Sequence, residues 1–477
     1  MKQAKTNSNK NIMDQVYERL RRAGTAVGRL NGNNTHSGNL SMRDPQDDDI
    51  FYITATGSQC DALIPRDIVP VRRSGVSWGD ARGSTESTIH RRIFAVPGTG
   101  AVLHAHFLES TFISFDTKEK QLFLKFLDTD HKGREEFLFQ PVDIHGAFAV
   151  GGVRVGSYEQ PVGSAEMEER IPQYLEKDKL TIVRGHGPFC RAGSIEEALH
   201  LMCVLENSAK LALFLRRRGF DFSRIRDIIL QKGPDRVFPS APQRFRDIDF
   251  SECRVGDETV IADFRQRLNY NYNNFIGAFG TGSMSQKISS QEMIYCPVSA
   301  VPEDFEFPLL RAKLPFRDDD SLDLRIHKLI YRHTHQNACM ITSSPLAAAE
   351  GMAVLAEQYG EEVLTHSTTQ IQYTTRQHPF IHPIDAEAIY LNPKLGLVDI
   401  YRLVDETETN PILDMLRWYK GCCVVAGYGV ISTGATTLEK AAHNAASAER
   451  IARFRSEVYY NHKLLDGPPV RHFEPQS

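Results

Sequence analysis

STESTIHRRIFAVPGTGAVLHAHF (Ser84 to Phe107) lines up without a gap on SLDLRIHKLIYRHTHQNACMITSS (Ser321 to Ser344), so that Ser84 falls on Ser321, His90 on His327 and Ala101 on Ala338. What recurs is the spacing more than the identity, and such internal repetition changes the reading of the whole fold. A second pair follows in the same order: TIVRGHGPFCRAGSIEEALHLMCVLENSAKLALFLRRRG matches CCVVAGYGVISTGATTLEKAAHNAASAERIARFR further along the chain. Each block carries a capping box, Ser194-Ile-Glu-Glu197 and Thr436-Thr-Leu-Glu439, which predicts a helix start there. After Ser194 the apolar residues Ala198, Leu199, Met202, Leu205, Leu211 and Leu215 keep helical spacing. Arg216, Arg217 and Arg218 before Gly219 suit the C-terminal end of that helix better than a nucleic-acid patch. TIVRG and CCVVAG read as short buried strands, and strands alternating with helices in both copies predict α/β layers.

The 477 residues, 41% hydrophobic and 24% charged, suffice for two or three cores at ~100–200 residues each. Lys and Arg number 56 against 60 Asp and Glu, a formal net charge of -4, so no basic field recruits nucleic acid or an anionic membrane surface. A small ligand is the expected partner. The longest apolar stretches, such as Cys422 to Ile431, are interrupted by glycines and fall short of the ~20 residues of a spanning helix, which predicts a soluble protein. The polar start MKQAKTNSNKN lacks the apolar core of a secretory signal, so the cytoplasm is the expected location. Eight cysteines (60, 190, 203, 253, 296, 339, 422, 423) form no C-x-x-C pair, and adjacent Cys422 and Cys423 suit a disulfide poorly; reduced packing residues are expected.

His104-Ala-His106 closes the apolar run AVLHAH, which reads as a strand. Alternate strand residues point to the same side, so two imidazoles there can share one cation. A third, His186, sits between glycines in TIVRGHG, where another chain segment or a substrate can approach closely. Three neutral nitrogen ligands with one open position describe a catalytic zinc-type site. A single histidine of this kind is more often a core or surface residue, so the reading depends on the three converging in space. The second copy acts as an internal control. At the aligned positions it has Ile341, Ser343 and Tyr428, and Asp323 where the first has Glu86. The fold pattern persists without the histidines, so folding does not require them, and the second copy reads as a structural pseudo-domain.

SGNLSMR (Ser37 to Arg43), ITATG (Ile53 to Gly57), STESTIH, HAH and GHG occur in the order found in the class II aldolase/adducin family, which the chain resembles over residues 12–219. The resemblance implies two tandem α/β/α three-layer domains, each with a central, largely antiparallel sheet: a metal-binding catalytic domain at 12–219, a connecting segment at 220–256 and a degenerate domain at 257–460. It assigns His104, His106 and His186 as ligands of a divalent metal, zinc first, with Mn2+, Fe2+ or Co2+ as alternatives. Glu86 becomes the catalytic acid/base, and Asn39, Thr56, Gly57, Ser84 and Thr85 the groups holding a phosphate or carboxylate. The implied activity is that of a metal-dependent carbon–carbon lyase, an aldolase or decarboxylase with dehydration also open. It would act on a small hydroxy-carbonyl substrate, a sugar phosphate or keto acid, through a metal-stabilised enediolate. The adducin branch supplies the competing expectation of a scaffold without chemistry. Family members resembling this chain form rings of four domains, so a homodimer is the expected assembly. Two departures bear on the chemistry. His36 stands where sugar-phosphate aldolases have Thr, with Thr35 one residue earlier, and the region of the aldolase tyrosine acid reads DIHGAFAVGG, with Gly146 at its place and His145 or Tyr158 as substitutes.

Overall fold

The computed structural model describes residues 2–33, 36–130, 132–239, 255–273, 282–297, 309–366 and 371–465; Thr35 and Cys253 lie outside them. The first copy builds a nine-stranded sheet from β1 (Asn39–Arg43), β2 (Ile50–Thr54), β3 (Ile68–Arg72), β4 (Ala101–His104), β5 (Leu124–Thr129), β6 (Glu135–Phe139), β7 (Val153–Gly156), β8 (Leu180–Val183) and β9 (Gly187–Ala192). Its spatial order is β3-β2-β1-β4-β9-β8-β7-β6-β5. The second copy repeats that order with one strand fewer, β12-β11-β10-β13-β17-β16-β15-β14. Its strands are β10 (Gly282–Lys287), β11 (Glu292–Cys296), β12 (Leu310–Lys313), β13 (Ala338–Thr342), β14 (Phe380–Ile381), β15 (Leu395–Val398), β16 (Cys422–Val425) and β17 (Gly429–Gly434). Among the described residues each sheet has one parallel pair, at corresponding places: β7 with β8, and β15 with β16. The expected α/β fold with largely antiparallel sheets is present in both copies. The first copy's extra strand is β5, supplied by the charged insertion LKFLDTDHKGREEFLF, which forms a hairpin with β6.

Successive strand side chains point to opposite faces, and nearly every residue of β1, β2 and β3 is buried, so both faces of the sheet are covered. Phe51 and Ile53 of β2 and Val69 and Val71 of β3 point to one face. There they pack with Ile89 and Ile93 of α2 (Ser87–Ile93) and with Met167, Ile171 and Leu175 of α4 (Ala165–Lys177). α1 (Lys2–Arg29) packs on β1 and α3 (Leu108–Ile113) on β8 and β9, while α5 (Ile195–Arg217) meets the start of α3 through Glu206. In the second copy α9 (Leu322–His333) and α12 (Pro411–Trp418) correspond to α2 and α4, while α10 (Pro345–Tyr359) and α13 (Leu438–Leu465) correspond to α3 and α5. The chain separates into two compact units, one formed by residues up to Gln140 and Ala149–Glu206, the other by Pro141–Phe148 and nearly all the chain from Asn207 onward. Residues 220–256 carry α6 (Phe222–Lys232) and α7 (Pro234–Val237), with 240–254 outside the described set.

Ser194 caps α5 as expected, its Oγ accepting from the Glu197 N–H at 3.2 Å, and the Glu197 carboxylate takes the Gly193 N–H at 2.9 Å. α13 begins at Leu438, so Thr437, not Thr436, immediately precedes it. Among the described residues α5 alone is long and apolar enough to cross a membrane although no apolar run in it is unbroken, and 78% of its apolar window is buried within the protein. The seven described cysteines are all free and buried, in keeping with packing roles.

Candidate metal centre

β4 lies between β1 and β9, which sets Asn39 opposite His104 on one side and Phe189 opposite it on the other. His104 is the last residue of β4; two positions on, the His106 peptide N–H is held by the Gly32 carbonyl at 2.6 Å and by Asn33 Oδ1 at 3.0 Å. His186 occupies the tight turn between β8 and β9. Gly187 permits that turn: its φ is +153°, and a Cβ there would stand 2.3 Å from the Ala105 carbonyl oxygen. The glycine thus lets one backbone segment, and not a ligand, come close.

These constraints bring the three rings together. His104 Nε2 lies 3.1 Å from His106 Nε2 and 3.2 Å from His186 Nε2, and among the described residues this trio is the group whose ligand atoms all fall within 4.8 Å of one another. His104 Nδ1 sits 3.0 Å from the Pro188 carbonyl, to which it can only donate, so its Nε2 carries the lone pair. The Phe189 ring stacks on His104 with centroids 3.9 Å apart and fixes the ring plane. Burial pushes His104 well below the usual histidine range, with His186 and His106 adding to the effect. Burial, then His186, takes His106 down to about 4, and burial lowers His186 as well. Three neutral imidazoles therefore aim at one point.

Glu86 completes the site. Its Oε2 lies 3.7 Å from His104 Nε2 and accepts the Asn39 amide at 2.7 Å, while Oε1 has no hydrogen-bond partner among the described residues. Burial raises the Glu86 carboxyl above its ordinary range, opposed by the Asn39 amide and the Gly163 backbone. The remaining predicted residues gather nearby but serve each other. Thr56 Oγ1 donates to the Gly83 carbonyl at 2.7 Å, His36 Nδ1 meets the Gly57 carbonyl at 2.9 Å, and Ser84 Oγ accepts the Glu86 N–H at 3.2 Å. Ser84 and Thr85 precede α2 by a turn rather than opening it, since Glu86 holds the N-cap position. Asn33, Pro188 and Phe189 escaped the sequence reading: one lies in an irregular loop, and the others act through a carbonyl and a ring plane that no motif records.

The family model for the class II aldolase and adducin N-terminal domain matches residues 18–213 and again 281–455, together most of the chain. The chain belongs to this family. It is similar to methylthioribulose-1-phosphate dehydratase of Leptospira biflexa, 26% identical over 183 residues that span 35% of this chain and 82% of that protein. It is also similar to 3-oxo-tetronate 4-phosphate decarboxylase of Pectobacterium atrosepticum, 28% identical over 193 residues, 40% of this chain and 81% of that one. Among solved structures, l-fuculose-1-phosphate aldolase of Thermus thermophilus aligns with 25% identity and a TM-score of 0.36, covering 43% of this chain and 95% of its own. Family membership in two segments places the repeat on firm ground and accounts for the equal strand order of the two sheets.

Proposed function

We propose that the first copy is a divalent-metal lyase acting on a small phosphorylated hydroxy-carbonyl compound. The convergence of His104, His106 and His186 beside a buried glutamate carries this reading. The donor set fits a cation: the rings are kept neutral by burial, His104 is turned by Pro188 so that its free nitrogen faces the others, and Glu86 Oε1 is buried without a partner. When bound, a divalent ion polarises hydroxyl and carbonyl oxygens and stabilises negative charge developing on them. His104, His106 and His186 would hold it, zinc being the ion best matched to three nitrogen donors.

Glu86 is placed to move the proton. Its raised pKa lets the carboxyl exchange a proton nearer neutrality than an exposed glutamate does, and the Asn39 amide keeps Oε2 oriented. The paired stretches Ala55–Gly57 and Gly83–Thr85 flank that glutamate, and their hydroxyls and peptide groups suit the anionic handle of the substrate. The relatives named above act, by their names, on phosphorylated compounds, by dehydration in one case and decarboxylation in another. All such steps draw on the same developing anion, so a panel of sugar phosphates and keto-acid phosphates assayed with the metal-loaded protein is the test. Turnover that disappears with chelation and with Glu86→Gln supports the reading; purified protein that takes up no divalent ion contradicts it.

A further inference from the structure

Two buried polar atoms near Glu86 lack partners, and they are complementary. Among the described residues neither His90 Nε2 nor Asn39 Oδ1 has a hydrogen bond, although His90 is fully buried and Asn39 is 5% exposed. Each such atom costs stability, so the pair calls for a physical reason. His90 stands one turn after Glu86 on α2, its N–H donating to the Glu86 carbonyl at 3.1 Å. Its Nδ1 meets Ser41 Oγ at 2.6 Å. The Phe189 ring that stacks on His104 also meets the His90 ring edge to face, with centroids 6.4 Å apart. The imidazole is therefore held in one orientation against β1.

The second copy shows the same arrangement closed. Asn39 pairs with His104 across β1 and β4 as Ser283 pairs with Ile341 across β10 and β13, and Ser41 and Ser285 follow two residues later. There Ser285 Oγ meets His327 Nδ1 at 2.6 Å, Ser283 Oγ meets His327 Nε2 at 3.0 Å, and Ser283 Oγ also reaches Asp323 Oδ2 at 2.6 Å. A carboxylate only accepts, so Ser283 gives its proton to Asp323 and takes one from His327 Nε2–H. In the first copy the middle link is Asn39. Its amide donates to Glu86 Oε2 at 2.7 Å, and its carbonyl oxygen is the acceptor that remains for the corresponding imidazole nitrogen.

We infer that His90 is a positioning residue for Glu86: its Nε2–H engages the Asn39 carbonyl oxygen and so holds the Asn39 amide on Glu86 Oε2, as His327 acts through Ser283 on Asp323. An asparagine carries its donor and its acceptor on one rigid plane, so orientation passes from the imidazole to the carboxylate without any proton moving along the chain. The inference rests on Glu86 being the acid/base proposed above.

Crystal structures of the full chain, purified without metal, test the positioning with no assay involved. His90→Phe keeps a ring and loses the donor, and should release the Asn39 amide from Glu86 Oε2. His90→Gln keeps an N–H near the Nε2 position and should retain that contact, as should His327→Phe. An Asn39–Glu86 contact unchanged in His90→Phe would overturn the inference. Should that variant fail to fold, the imidazole nitrogen NMR spectrum of the wild-type chain decides, with His90→Gln identifying the signal. His90 should carry its proton on Nε2, and Asn39→Ala should move that resonance; the opposite tautomer, or a resonance indifferent to Asn39, would overturn the inference. In the zinc-loaded protein, assayed on the sugar-phosphate panel, His90→Phe should lower kcat at least about tenfold with KM little changed. His90→Gln should restore most of that loss, and His327→Phe should cause none; equal losses in His90→Phe and His327→Phe would reduce His90 to a structural role. A wild-type protein without turnover on any of those compounds would count against the lyase reading, while the crystallographic result would still decide the positioning.

Discussion

The two copies differ most where they are most nearly superposable. In the first, Glu86, Asn39, His104, His106 and His186 leave three lone pairs converging and one carboxylate oxygen without a partner. In the second, Asp323, Ser283, Ile341, Ser343 and Tyr428 stand in the same places and close the gap. Asp323 Oδ2 accepts from Ser283 at 2.6 Å and Oδ1 from the buried Tyr428 hydroxyl at 2.5 Å, so both oxygens are satisfied. The tyrosine is itself fully buried. The supporting frame has been kept meanwhile. Ser41 pairs with His90 and Ser285 with His327, each at 2.6 Å. Glu206 accepts the N–H groups of Glu109 and Ser110 at the start of α3, and Glu449 those of Leu346 and Ala347 at the start of α10. Unsatisfied buried polar groups cost stability, a cost the first copy carries at this place and the second avoids.

The sharpest way to break this contrast is His106→Ala, which should lower bound metal and reduce turnover at least about a hundredfold, read by elemental analysis and assay. Full metal occupancy in that variant would remove the distinction between the copies. Conversely, Ile341→His, Ser343→His and Tyr428→His together should raise metal content from about one equivalent per chain to about two. If the second equivalent fails to appear in folded protein, the second copy has lost more than its ligands.

Acid should affect both copies alike. Burial holds His90 and His327 neutral, each down to about 3. Below about pH 6.5 the unfolded chain takes up protons that the folded one refuses. Stability is then full above that pH and falls as pH drops toward 3, by up to about 1.4 kcal/mol per pH unit for each histidine. Urea midpoints across that window should shift less in His90→Asn and His327→Asn; an unchanged slope in either would show that its partner copy alone responds. The smallest effect expected is from Tyr428→Phe. Removing the hydroxyl leaves Asp323 Oδ1 buried without its donor, a loss of about 1–3 kcal/mol with turnover unaltered. A matching loss of turnover would mean that the second copy supports the chemistry directly.

Much of this was legible before any coordinates. The spacing of Ser84, His90 and His104 against Ser321, His327 and Ile341 exposed the duplication, because a repeated core needs apolar residues at repeated intervals whatever their identity. The His-x-His alternation and the glycines around His186 announced donors of the right kind. The charged insertion after HAH gave no comparable cue that it would become an edge hairpin, since half-exposed strands of mixed polarity carry weak periodicity. The hydrogen bonds that Thr56, Gly57 and Ser84 make, such as Thr56 to Gly83, depend on loop pairing that no linear pattern states.

Residue types and intervals alone settled which half carries imidazoles, that the fold is doubled, and that both halves alternate strand with helix, since these follow from local chemistry and from periodic burial. Only the folded chain decided that rings from β4 and from the β8–β9 turn meet within 3.2 Å, that Pro188 and Phe189 orient one of them, and that Tyr428 donates to Asp323 in the other copy. Those outcomes rest on contacts between residues about 80 to 105 positions apart, whose distances are set by sheet order and not by sequence neighbourhood.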